Sequence, residues 1–286
     1  MIMLRRYKAT MLIKRKSIEK EESLRGQRRA DPKERAPRTG RKPKFAPVTL
    51  SEMDGIRFLH FGTEWVQGAM RLRKPDWPEL EYAQQMMAWM LFNHKDHPLH
   101  LVQLGLGAGA LTKFCYRHFP QASVTAVELN PAVIAVCESM FKLPPNDERL
   151  TVLEMDAMDF VNDRANHGQV DALQIDLYDA TARGPMLDSP AFYAACNACL
   201  APEGIATVNL FGDHPSYLKN VRAMRDAFDE VICLPEVHDG NIVALGFRGA
   251  PTLDYPALYA RAARIRESSG LRARSWVNGI KHWDEL

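Results

Sequence analysis

From residue 99 onward the chain alternates short apolar runs with longer segments in which apolar positions recur every three or four residues. LHLVQLGL reads as a strand and ALTKFCYRHF as a helix. SVTAVEL is a strand, and PAVIAVCESMF a helix with Pro131 in its first turn. LTVLEM, VDALQIDL and GIATVNLF continue the strands; AMDFVNDR, PAFYAACNACL and PSYLKNVRAMRDAF are the helices between and after them. EVICLPE and NIVALGFR close the series as two strands joined by the short link PEVHDG, too short for a crossover helix, which makes that pair antiparallel. The pattern predicts a doubly wound α/β domain of about seven strands, mostly parallel, with a terminal antiparallel hairpin.

Upstream, VTLSEMDGIRFLHFGTEWVQG reads as short strands around turns, with Asp54-Gly55 as a hairpin signal. LEYAQQMMAWMLF, residues 80–92, predicts one helix with a wide apolar face, and residues 252–286 look helical. Four segments follow: a leader (1–46), a small N-terminal β region (47–78), the α/β domain (79–251) and a helical C-terminal tail (252–286).

Charge sharpens the first boundary. The 286 residues carry a formal net charge of +2, yet residues 1–44 hold 16 Lys and Arg against 5 acids, and the remaining 242 hold 21 against 30. A basic leader broken by Pro32, Pro37 and Pro43 cannot bury enough apolar surface to fold, so disorder is expected there. No aromatic interleaving accompanies its charge, so nucleic acid is not the expected partner. No signal-type apolar region and no membrane-length run occurs, and the five cysteines are odd in number, which together suggest reduced thiols in a cytoplasm. Cys196 and Cys199 form a CxxC within an Ala-rich helical pattern and read as two small buried residues. His94, His97 and His100 are too scattered to suggest a metal.

The candidate chemistry lies at the strand tips, where open α/β sheets bind ligands. The first strand ends at Gly105, and Gly107 and Gly109 follow; glycines there let the backbone turn and approach a ligand. The second strand ends at Glu128, placed to accept from two ribose hydroxyls, with Asn130 before Pro131 as the helix cap that leaves Glu128 free. The third ends at Asp156, which suits an adenine amine, a helix cap, or both. The fourth ends QIDLYDATARGP, with Asp176 at the tip and Asp179 three residues on: a carboxylate pair able to hold a cation, one of them able to take a proton from an attacking amine. Three acceptors on successive tips point to an adenosine site, and the glycine register does not suit a pyrophosphate.

The chain from about 48 to 249 resembles the spermidine synthase (polyamine aminopropyltransferase) family, above all its divergent bacterial spermidine synthase-like branch. The features are the hairpin region, the Tyr82 helix ELEYAQQM, the GxGxG strand, VELN, the DAMDF step, the D-x-x-D exit and the AFYAAC helix. The resemblance implies a Rossmann-like fold of the S-adenosylmethionine-dependent methyltransferase type. It implies decarboxylated S-adenosylmethionine, or S-adenosylmethionine itself, as cofactor, no metal, and a small-molecule amine as substrate. By it Asp176 is the general base, Glu128 holds the ribose, Asp156 with Ala157 the adenine, and Gln67, Tyr82 and Asp179 the acceptor. The family often dimerises, which the hairpin region could serve.

Three departures matter. The family's GGGDGG carries an Asp for the aminopropyl amine where this chain has Ala108. The polar residue after the helix tyrosine is Ala83. The segment between Gln67 and Tyr82 is longer and holds Arg71, Arg73 and Lys74, charge that near an entrance would suit an acidic substrate better than a polyamine. A methyltransferase, whose cofactor keeps its carboxylate, and a non-catalytic nucleoside-binding relative therefore stand as alternatives.

Overall fold

The computed structural model describes residues 45–93, 99–179, 187–237 and 240–284. The basic leader up to residue 44 lies outside the described residues, as do His94 and His97. The described residues from 46 onward form one compact unit.

A four-stranded antiparallel sheet comes first, in the order β1 (Val48–Met53), β2 (Ile56–Phe61), β3 (Gly68–Arg71), β4 (Lys74–Pro78). The β1–β2 turn has Asp54 at φ 53° and Gly55 at φ 76°, the paired positive angles of a tight hairpin, as Asp-Gly predicts.

The predicted helix over 80–92 forms in two pieces, α1 (Glu81–Gln85) and a 3-10 turn (Ala88–Leu91). The break has a visible cause. The Met86 carbonyl accepts from the side chains of Gln174 and Thr207, each at 3.1 Å, and Met90 N–H bonds to Met87 instead. Donors from the sheet draw one carbonyl out of the helical ladder, and the following turn tightens.

The main sheet is then laid down as β5 (His100–Leu104), α2 (Ala110–His118), β6 (Ser123–Glu128), α3 (Pro131–Met140), β7 (Leu150–Glu154), α4 (Ala157–Asn162), β8 (Val170–Ile175), α5 (Pro190–Cys199), β9 (Leu200–Phe211), α6 (Tyr217–Arg225), β10 (Glu230–Cys233) and β11 (Asn241–Phe247). Strand order is β10-β11-β9-β8-β5-β6-β7. The five strands from β9 to β7 run parallel; β11 is antiparallel to both β9 and β10. This is the seven-stranded, mostly parallel sheet with a terminal antiparallel hairpin that the pattern predicts.

One sheet face packs on α1, α2, the 3-10 turn and two C-terminal helices, α7 (Tyr255–Ser269) and α8 (Ala273–Asp284), whose Leu258, Ile265, Trp276 and Ile280 are buried with Trp89, Phe114 and Leu101. The other face packs on α4, α5 and α6, where Cys196 and Cys199 are buried on one side of α5. The N-terminal sheet closes over α3 and the glycine loop through Leu59, Met70, Ala108, Cys137 and Phe141. Among the described residues no helix is long and apolar enough to cross a membrane.

Candidate active site

The parallel strands deliver β5, β6, β7 and β8 to one edge, so their exits converge. Gly105, Gly107 and Gly109 all have positive φ, at 92°, 51° and 66°. Their hydrogens face protein. A Cβ on Gly105 would drive into the carbonyl oxygen of Asp176, and one on Gly107 would lie 3.1 Å from that of Gln67. The absence of side chains thus brings the Asp176 exit and the Gln67 segment against the loop. Ala108 is 2% exposed and packs on Gly68, where a Cβ would stand 2.7 Å from the Ala108 methyl.

Glu128 is not free in the way the Asn130 cap suggests. Asn130 does cap α3, accepting from Ala132 N–H at 3.0 Å, but Glu128 also accepts from Leu106 N–H at 3.0 Å and Asn130 N–H at 2.8 Å. It ties the glycine loop to its own turn; a carboxylate has further lone pairs for ribose hydroxyls. Burial raises its pKa, against the lowering effect of its backbone donors. Asp156 caps α4 through Met158 N–H at 2.8 Å, leaving its other oxygen for a second donor, with Ala157 buried beside it. Beside each of these acids a large apolar side chain is exposed, Leu129 at 43% and Met155 at 37%, two of the five exposed large apolar side chains among the described residues. Sequence reasoning passed over both; an apolar residue beside an acid at a strand tip is the available signal.

At the fourth tip, Tyr82 Oη donates to Asp176 Oδ2 at 3.1 Å and Asn209 Nδ2 donates to Oδ1 at 2.9 Å. Burial pushes the Asp176 carboxyl above its usual range, and the Asn209 and Tyr82 donors partly offset this. Asn241 Nδ2 donates to Asn209 Oδ1 at 2.9 Å, and Tyr178 Oη to the Asn209 carbonyl at 3.0 Å. Gln67 Nε2 donates to the backbone carbonyl of Asp179 at 3.2 Å, so those two meet through the main chain.

Behind this row lies another. Gln103, Gln174 and Thr207 pair side by side across β5, β8 and β9, one strand repeat below Gly105, Asp176 and Asn209. Gln103 Nε2 donates to Gln174 Oε1 at 2.9 Å, and Gln174 and Thr207 hold the Met86 carbonyl at the end of the Tyr82 helix. Asn209, Asn241, Gln174 and Thr207 were missed in the sequence. Their signal is a polar residue in phase with the site, buried inside an otherwise apolar strand.

The basic segment is not at the mouth. Gln67 precedes β3, whereas Arg71, Arg73 and Lys74 lie at its other end, roughly 10 Å further along. Arg71 is held by both oxygens of Glu79, at 2.8 and 2.6 Å, and Lys74 lies over the Trp77 ring. Among the described residues no three His, Cys, Asp or Glu side chains gather as a metal site.

A spermine/spermidine synthase domain pattern matches residues 79–233, from the Tyr82 helix through β10. The polyamine aminopropyltransferase of Chromobacterium violaceum is 32% identical over 240 residues, covering 83% of this chain and 90% of that protein. The chain belongs to the spermine/spermidine synthase family. Within that family's fold, a probable spermidine synthase from Corynebacterium glutamicum superposes with a TM-score of 0.63 at 19% identity, over 79% of this chain and 92% of that one. Human methyltransferase-like protein 13, solved with SAH, superposes with a TM-score of 0.57 at 22% identity, over 66% and 92%. The spermidine synthase fold is therefore shared with methyltransferases, and the choice of reaction rests on the site.

Proposed function

We propose that this protein transfers an aminopropyl group from decarboxylated S-adenosylmethionine to an amine acceptor such as putrescine. The observation that carries this reading is Asp176, fixed by one neutral donor on each oxygen at the exit facing the glycine loop. The family relationship and the Chromobacterium relative's aminopropyltransferase name support it.

The crevice fits an adenosine-bearing cofactor: Glu128 and Asp156 retain acceptor capacity, and Leu129 and Met155, their neighbours in sequence, expose apolar surface. Glu128 would hold the ribose, Asp156 and Ala157 the adenine edge, and the Gly105–Gly109 loop the sulfonium end. When bound, the sulfonium supplies an activated carbon whose bond to sulfur breaks, with the electron pair staying on sulfur, as the bond to the amine nitrogen forms. An ammonium has no lone pair, so Asp176 accepts the acceptor's proton on an oxygen lone pair that Tyr82 and Asn209 leave open. Tyr82, Gln67 and Asp179 line the acceptor's path; this alignment and charge placement is where rate enhancement arises. The free buried thiols fit a reducing cytoplasm.

Ala108 favours a second reading. Its methyl packs in an apolar corner against Gly68, so this part of the loop offers no anion to a cationic aminopropyl tail. A cofactor that keeps its carboxylate has no need of one, as in a methyl transfer. Calorimetry with decarboxylated S-adenosylmethionine, S-adenosylmethionine and methylthioadenosine side by side decides. Tighter binding of the decarboxylated form is expected; tighter binding of S-adenosylmethionine overturns the first reading in favour of the second.

A further inference from the structure

We propose that Asn209, oriented by Asn241, is a positioning residue that sets the plane of the Asp176 carboxylate and leaves one of its lone pairs open to the acceptor amine. This rests on the reading of Asp176 as the general base.

Asn209 is 2% exposed within the strand GIATVNLF, where nothing but a polar partner justifies an amide. A lone asparagine is ambiguous, since its oxygen and nitrogen can exchange places. Here the ambiguity is resolved at both ends. Asn241 Nδ2 donates to Asn209 Oδ1, which turns the Asn209 amide nitrogen toward Asp176 Oδ1. Reversing both amides would aim an amide oxygen at a carboxylate oxygen, which the charged form of Asp176 forbids. Tyr178 Oη fixes the Asn209 backbone from the exit loop of β8, and Asn241 also bonds the Tyr178 side chain. The chain Asn241, Asn209, Asp176 thus runs one way across β11, β9 and β8.

The donors are also of the right kind. The polar and titratable groups around Asp176 are Tyr82 from α1, Tyr178 and Asp179 from its own exit, Asn209 from β9 and, behind it, Asn241 from β11. Asn and Tyr orient a carboxylate without a full positive charge. An arginine in the same place would orient it and also strip it of basicity.

The test uses the whole protein labelled with ¹³C at aspartate carboxyl carbons, with Asp176 assigned through Asp176→Asn. Asn209→Leu is expected to move the Asp176 titration upward by about one pH unit, the effect of one lost hydrogen bond to a charged acceptor. Asn241→Ala should move it part of the way in the natural background and by much less in the Asn209→Leu background, because its main route to Asp176 is through Asn209. In turnover, the acidic limb of the kcat/KM profile should shift by the same amount, with the KM for cofactor unchanged. If Asn209→Leu does not fold, Asn209→Ser takes its place. An unchanged Asp176 titration in a folded Asn209 variant overturns the proposal, as does an Asn241→Ala shift of equal size in both backgrounds. The titration needs no turnover: if it behaves as expected while the natural protein transfers no aminopropyl group, the functional reading fails and the positioning role stands.

Discussion

Tyr82 Oη and Asp176 Oδ2 meet at 3.1 Å across 94 residues of chain. The two are brought together from both sides. Gln174 and Thr207 grip the Met86 carbonyl and so the end of the helix that carries Tyr82, while Asp176 leaves the sheet two residues after Gln174. Asp176→Asn keeps the shape of this meeting and removes the proposed base. It is expected to lower aminopropyl transfer by roughly 10²- to 10⁴-fold while cofactor affinity in calorimetry stays within a factor of a few. Transfer near the natural rate contradicts the assignment.

The same substitution has a signature in stability. Burial raises the folded-state pKa of Asp176 above its unfolded value, so the folded state binds more protons between the two values. Stability contributed by this group is therefore highest below the unfolded pKa, near 3.8, and falls as pH rises through the folded pKa. Asp176→Asn carries no such penalty. Its stability relative to the natural protein should increase from pH 3 upward and level off above the folded pKa, read by urea unfolding at several pH values. A relative stability that declines over that range is the opposite sign and would show that the carboxylate is stabilised in place.

Gly105 is required by its neighbour. With φ at 92° and the Asp176 carbonyl against its Cα, Gly105→Ala meets both backbone strain and a clash with main chain that cannot swing away. A cost of about 2 kcal/mol or more is expected in urea unfolding, together with a fall in kcat, because relief can come only by displacing Asp176. A variant as stable and as active as the natural protein contradicts this account.

Lys113 in α2 is buried beneath the glycine loop, its Nζ donating to the Phe141 carbonyl at 2.7 Å, and burial pulls its pKa down from 10.5 to about 8. The unfolded chain then holds the proton more tightly, so this lysine adds stability as pH rises from about 8 to 10.5. The gain should approach roughly 3 kcal/mol, the equivalent of the shift in pKa. Lys113→Met should remove that rise, so the natural protein gains in stability relative to the variant between pH 8 and pH 10.5. A parallel pH dependence in both contradicts it.

The α/β order, the strand set and the Asp-Gly turn were legible because each is written in local periodicity or in a residue with restricted backbone angles. The helix over 80–92 was read too long, since what breaks it comes from Gln174 and Thr207, far away in sequence. The candidate acids were legible as strand-tip residues, because a parallel sheet brings its exits together. Their partners were not: Asn209 and Asn241 stand on β9 and β11, and only the pairing of those strands with β8 brings them to Asp176. The charge of Arg71 looked like part of the mouth because the length of β3 and the grip of Glu79 belong to tertiary structure.

The most direct measurement of the central claim is product analysis by mass spectrometry after incubation with decarboxylated S-adenosylmethionine and putrescine, alongside S-adenosylmethionine with the same amine. The account predicts methylthioadenosine formed in step with an acceptor heavier by one aminopropyl group, dependent on both substrates and abolished in Asp176→Asn. Product formation from S-adenosylmethionine alone, with a methylated acceptor and no aminopropyl product from the decarboxylated form, would contradict it.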